Sequence, residues 1–227
     1  MRLYLNEDVS CRTSSWGEEV NPKIWRETMN KQQMATFGRV FGWIVFSLTV
    51  LASVARAQAP ALDAGLISDF GNGSTTAKFG FGWVVSTDSL AGGKSTGEMK
   101  IVDGGANGHA HALEVSGLID GGLPYAWAGV MFAPGSQPFV PVNLSSKKAI
   151  TFWAKGDGQT YRVLLFTTSG GRIPAKQTFV VGSEWKRFSI PFSAFNGTDG
   201  HDVGAILFVG GPTAGKFDFE IDEIKLE

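Results

Sequence analysis

After residue 60 the chain never sustains a 3.6-residue apolar period. Short apolar or alternating runs recur instead, separated by Gly, Asp, Asn and Pro. Eleven runs read as strands: 66–70, 79–86, 98–102, 109–116, 126–133, 149–155, 160–167, 176–181, 184–190, 205–209 and 216–226. This many short strands within one domain's length predict an all-β fold, a two-sheet antiparallel β-sandwich of jelly-roll type. Glycine makes up 30 of the 227 residues and falls largely in the breaks, where turns need positive φ.

Two of these strands say more. In 149–155, Ile150, Phe152 and Ala154 point one way, while Thr151, Trp153 and Lys155 point the other. A Trp among polar neighbours is either a sheet-surface residue under a loop or a ligand platform. In 216–226, Phe217, Phe219 and Ile221 share one parity, and Ile224 and Leu226 take the opposite one. The switch at Asp222-Glu223 requires a bulge or a bend, because register has a period of two.

The first 57 residues read as a separate object. Residues 40–55 form an uncharged run of 16, preceded by Lys31 and Arg39 and followed by Ala55-Arg56-Ala57. That run is shorter than the ~20 residues of a membrane span, and its flanks match a secretory signal. Residues 34–57 are therefore expected to be a signal peptide and 1–33 a non-native or disordered extension. The start would then lie at Met29 or Met34. The mature chain, 58–227, is expected to be one β-sandwich domain. It carries 13 Lys+Arg against 16 Asp+Glu, a net charge near −3. No basic surface is implied, so nucleic acid is not an expected partner. The one Cys, Cys11, lies in the extension, which excludes a disulfide framework and a Cys-based zinc site. No membrane span is expected to remain after signal cleavage.

The run from Trp83 to Ser95 has the form W-x(4)-D-x-x-x-G-G-x-S, with Trp83, Asp88, Gly92, Gly93 and Ser95 in place. Further pieces follow in order: Ser116-Gly117, Ala128-Gly129-Val130, Asn143-Leu144-Ser145, 150–158, 185–192 and 219–224. In these residues the chain resembles the NADH:ubiquinone oxidoreductase intermediate-associated protein 30 family, over roughly 66–226. The resemblance implies a galactose-binding-like jelly roll, similar to family 11 carbohydrate-binding modules. Eukaryotic members of that family assist the assembly of mitochondrial complex I. A signal peptide instead implies a bacterial, exported protein, periplasmic or extracellular.

Candidate ligand-binding residues are Trp83, Asp88, Tyr125, Trp127, Trp153, Asp157 and Arg162. Flat aromatic rings stack on the apolar faces of pyranoses, while Asp and Arg bond the hydroxyls. For the four tryptophans of the domain, sandwich packing is the competing reading. Asp88 sits in a Gly-rich loop, where it either bonds backbone amides or contacts a ligand. The resemblance also implies a structural calcium, with Asp69 and Asp222 as ligands; exposed carboxylates at strand ends are the alternative. His109 and His111 form H-x-H on a strand, either packed or rim histidines or the start of a metal site. No G-x-S-x-G and no Ser/His/Asp order stand out, so the chain does not read as an enzyme. The expected function is non-catalytic binding of a carbohydrate or protein partner. The alternatives are an assembly or chaperone-like role for an envelope or respiratory complex and, third, a hydrolase accessory or weak enzyme.

Overall fold

The computed structural model describes residues 65–171 and 173–227. The signal and extension readings for 1–57 lie outside the described residues. Eleven strands are present: β1 (Leu66–Ser68), β2 (Gly82–Thr87), β3 (Thr96–Asp103), β4 (His111–Ile119), β5 (Ala128–Ala133) and β6 (Ala149–Gly156). β7 (Thr160–Thr167), β8 (Ala175–Val180), β9 (Lys186–Pro191), β10 (Val203–Gly210) and β11 (Gly215–Leu226) complete the set. The only helical pieces among the described residues are single 3₁₀ turns.

The strands form two antiparallel sheets, as the punctuation predicts. One runs β3-β4-β11-β6-β9, with β1 added beside β11; the other runs β2-β5-β10-β7-β8. β11 has two neighbours along one edge. Its first half pairs with β4, from Gly215 opposite Ile119 to Ile221 opposite Leu113. Beyond the bulge, β1 takes over, with Ser68 opposite Ile224. The bulge lies where the parity switch places it: the register with β6 shifts between Asp222 and Lys225, and Glu223 has φ of 48°.

Alternation then decides what is buried. Phe217, Phe219, Ile221, Ile224 and Leu226 of β11 all face one core, together with Ile150, Phe152 and Ala154 of β6. From the other sheet come Val130, Phe132, Tyr161, Val163, Leu165, Ile206 and Phe208. Phe152 bridges the layers: its ring centroid is 5.0 Å from those of Phe208 and Phe179 and 5.3 Å from that of Phe188. The first two contacts are edge-to-face and the third is stacked, and such aromatic pairs stabilise beyond the area they bury. The buried Tyr161 closes one end. Its hydroxyl lies 2.9 Å from Asp157 Oδ1 and accepts the Asp218 backbone N–H, so β7 is tied to β11 across the sandwich.

Candidate functional site

The outward face of a sandwich strand is ordinarily polar. β10 departs from that rule, because every one of its eight residues is buried. Its inward side chains join the main core. The outward ones, Ala205, Leu207 and Val209, form a second apolar cluster with Met131 and Leu164, flanked by Val84, Trp127 and Phe166. An apolar outer face must be covered by something. The segment between β5 and β6 covers part of it. Val142 bridges to Val203, and the Phe139 ring meets Phe166 edge-on at 5.8 Å. Gly204 admits that segment, since a Cβ there would stand 3.1 Å from Phe139 Cα.

What is left uncovered is a cleft of about 310 Å³, walled by Trp127, Phe139, Phe166 and Leu207 and rimmed by Leu90 and Ser86. Trp127 is held in place: its Nε1–H donates to Ser86 Oγ at 3.3 Å, and its carbonyl accepts the Asp88 N–H. Around the cleft, Leu90 is 77% exposed and Phe139 48%. Sequence periodicity does not single out Phe139, which lies outside any strand. The signal that marks this face is the unbroken apolar run of β10, Val203–Gly210, because a strand apolar on both sides has both sides covered.

Of the seven candidate ligand residues, two stand on the outer face of this sheet and a third, Tyr125, adjoins them in the loop before β5. Trp127 walls the cleft. Arg162 stands on the outer face of β7, in register with Val209 and with Thr178. It is buried, and Nη2 donates to Ala126 O and Gly210 O, each at 2.9 Å. Burial holds its guanidinium below the ordinary arginine range. Tyr125, next to Ala126, is 77% exposed.

The structure puts the other four elsewhere. Trp83 belongs to the main core, with its ring 5.5 Å from Phe132 and Nε1–H donating to Ser68 Oγ. Asp88 is fully buried; its carboxylate accepts the Ser95 N–H and hydroxyl at 3.0 and 2.7 Å. Both side chains are thereby committed to the fold, and of the two readings of the Gly-rich loop the structure shows the backbone-bonding one. The spacing of Trp83, Asp88, Gly92, Gly93 and Ser95 thus has a structural cause. The carboxylate clasps a loop that turns at Gly92, which has φ of 84°, and passes Gly93, where a Cβ would come 2.3 Å from Asp88 Cγ. Trp153 lies on the outer face of the six-stranded sheet, opposite Asp222 and Arg187. Asp157 is engaged by the Gln159 and Asp218 backbone N–H groups and by Tyr161.

The outer face of the six-stranded sheet holds a polar groove of about 350 Å³, lined by Lys155, Asp157, Ser183, Asp218 and Glu220. Burial is the first cause that raises the carboxyls of Asp218 and Glu220 above their ordinary values of 3.8 and 4.5. Neighbouring carboxylates add to it; Lys100 opposes it at Asp218, and Lys155, 3.2 Å away, opposes it at Glu220. A raised folded-state value means that the folded protein binds protons more tightly than the unfolded chain. The stability each group adds is complete below its ordinary value and is lost as pH rises through the folded value. On titration from pH 7 down to the ordinary carboxyl values, the unfolding midpoint of the wild type is therefore expected to rise relative to an Asp218→Asn/Glu220→Gln variant. Parallel midpoints in the two proteins would contradict this.

Asp222 is fully buried at the bulge. Oδ2 accepts the Ala106 N–H at 2.9 Å and lies 3.1 Å from His109 Nδ1, while Oδ1 accepts the Glu223 N–H at 2.7 Å. Asp69 instead accepts the Gly71 N–H and stands 3.7 Å from Lys78 Nζ. Hydrogen-bond donors and an ammonium surround these carboxylates, an arrangement that does not fit a calcium cage of oxygen ligands. Among the described residues no group of three or more His, Cys, Asp or Glu is gathered to hold a metal. The two histidines do not share a strand: His109 precedes β4 and packs against Asp222, while His111 opens β4 and lies 3.2 Å from Asp103. No helix among the described residues is long and apolar enough to cross a membrane.

Residues 68–204 match the model of a family described as complex I intermediate-associated protein 30. No curated protein matches the chain. Among solved structures, the chain is similar to the family 11 carbohydrate-binding module of a cellulosomal cellulase of Clostridium thermocellum. The identity is 21% and the TM-score 0.54, over 71% of this chain and 92% of that one. A structure of the Clostridium thermocellum module in complex with a β-1,3-1,4-mixed-linked tetrasaccharide gives 20% and 0.53, over 71% and 94%. At such identity the likeness establishes the fold: a two-sheet jelly roll.

Proposed function

Given that the chain belongs to the complex I intermediate-associated protein 30 family, we propose that it is an exported, non-catalytic binding domain that holds a carbohydrate against the outer face of its five-stranded sheet. One observation carries this reading: Trp127 forms the wall of an open cleft and is anchored through Ser86. An anchored indole offers an apolar surface without paying side-chain entropy on binding, and the apolar faces of pyranose rings stack on such surfaces. The solved tetrasaccharide complex of a protein with this fold makes mixed-linked glucan the first ligand to try. Export rests on the signal-like segment 34–57.

Calorimetric titration with mixed-linked glucan oligosaccharides and a wider glycan panel tests the reading. Trp127→Ala is expected to weaken binding about tenfold, equivalent to ~1.4 kcal/mol. Binding that survives unchanged in that variant would place the ligand elsewhere, with Trp153 on the opposite sheet as the next residue to change.

A specific observation favours a second reading, an assembly factor for an envelope or respiratory complex. The cleft is lined almost wholly by apolar side chains, and its one hydroxyl, on Ser86, is already engaged by Trp127. Such a lining also suits an apolar side chain of a partner protein. Co-purification with a membrane oxidoreductase, lost in Leu90→Glu, combined with no response to any glycan, would favour this role over the first.

A further inference from the structure

Among the described residues, Arg162 is a cation without a counter-ion. Its side chain is on the outer face of the five-stranded sheet and only 9% exposed. The two groups it bonds, Ala126 O and Gly210 O, are neutral carbonyls, and both are reached by the same nitrogen, Nη2. Nε is shut off from solvent and has no acceptor. Nη1 has no acceptor among the described residues either, yet it is not among the atoms closed off from solvent. Buried charges are ordinarily paired, because desolvating a guanidinium is costly. Two carbonyls satisfy one nitrogen and leave the charge itself unanswered.

The surroundings suit a ligand. The carbonyl that Arg162 holds belongs to Ala126, which lies between the exposed Tyr125 and the cleft wall Trp127. Thr178 stands opposite Arg162 on β8, and Val209, its register partner on β10, is two residues from Leu207 in the cleft. Nη1 is left as the open donor, on a side chain tied to the backbone between Tyr125 and Trp127, and a guanidinium N–H pairs strongly with a carboxylate.

We infer that Arg162 is an anion-reading residue, and that the ligand held against Trp127 carries a carboxylate that pairs with Nη1 of this guanidinium. The inference rests on the cleft as the ligand site and adds the charge of the ligand to it. A neutral glucan would leave the cation unanswered; an acidic sugar answers it.

Calorimetric titration of the full-length protein tests this, with D-glucuronate, D-glucose, acetate and inorganic phosphate as separate probes. Glucuronate is expected to bind roughly tenfold or more tightly than glucose, as a charge-assisted pair implies, and Arg162→Met is expected to abolish that difference. The ¹⁵N resonance of Arg162 Nε–Hε in the wild type is a second readout, independent of whether the variant folds, and is expected to move on adding glucuronate. Acetate binding as well as glucuronate supports a carboxylate read alone; glucuronate binding better than acetate supports an acidic sugar. Equal binding of glucose and glucuronate, response to phosphate without response to either carboxylate, or an unmoved resonance overturns the inference. Trp127→Ala separates the two levels. Glucuronate binding unchanged in that variant removes the cleft reading, whereas glucose matching glucuronate removes only the carboxylate.

Discussion

Asp88→Ala is expected to lower the stability of the domain by about 3 kcal/mol, the sum expected from two lost charge-assisted hydrogen bonds in a buried site. Asp88 has no exposed surface, and both its oxygens serve Ser95, one through the backbone N–H and one through the hydroxyl. The Ser95 hydroxyl oxygen in turn accepts the Asp120 N–H, so the carboxylate anchors two loops. Alanine leaves these donors buried without acceptors, and water has no easy route to them. Asp88→Asn keeps one acceptor and is expected to cost about half as much. The urea midpoint at unchanged slope is the measurement, and a loss below about 1 kcal/mol would show that the clasp is not what holds this loop. The effect reaches the cleft as well. Asp88 begins the 3₁₀ turn Asp88–Ala91, and Leu90 of that turn is part of the cleft rim. Ligand affinity is therefore expected to fall in Asp88→Ala even at temperatures where the protein remains folded.

Asp222→Ala is expected to cost about 4 kcal/mol, in the range found for breaking a buried charged network by removing one member. Three donors converge on this carboxylate: the Ala106 and Glu223 N–H groups and the His109 ring. They come from the loop between β3 and β4 and from the bulge itself, 116 residues from Ala106 in sequence. Without the carboxylate, the positive φ of Glu223 loses the bond that supports it, and a non-glycine residue there is strained. Asp222→Asn can still accept on one oxygen and also avoids a charge that burial disfavours, since burial raises the Asp222 carboxyl above its ordinary value. It is expected to cost roughly a third as much. If the two variants were equally unstable, the negative charge rather than the acceptor geometry would be what the bulge needs. Thermal unfolding of the three proteins at one pH distinguishes these outcomes.

The strands were legible because alternation and glycine punctuation are local properties. All eleven runs are present, with boundaries moved by a few residues; the run 79–86, for instance, begins pairing only at Gly82. The bulge at Asp222-Glu223 was legible for the same reason, since two parities cannot share one flat strand. The site was less so. Trp83 and Trp127 look alike in sequence, each followed by small or β-branched residues. Yet Trp83, on β2, points into the sandwich, while Trp127, just before β5, lies on the outer face. Asp157 and Arg162 lie five residues apart, but they serve different tasks at Tyr161 and at the Ala126 carbonyl.

The sequence by itself determined an all-β domain of two sheets, the place where its last strand must bulge, and membership of a family marked by the Trp83–Ser95 spacing. The first two follow from periodicity and from residue types that the backbone requires locally; the family follows from resemblance in that spacing and is shown by the match over residues 68–204. Only the tertiary structure decided which aromatic and charged residues are spent on the fold and which remain free. That depends on what lies across from each side chain. Asp88 meets Ser95 and is used up, while Arg162 meets two carbonyls and keeps an unanswered charge. Partners that are distant in sequence set the energy of a buried group, and no local pattern carries that information.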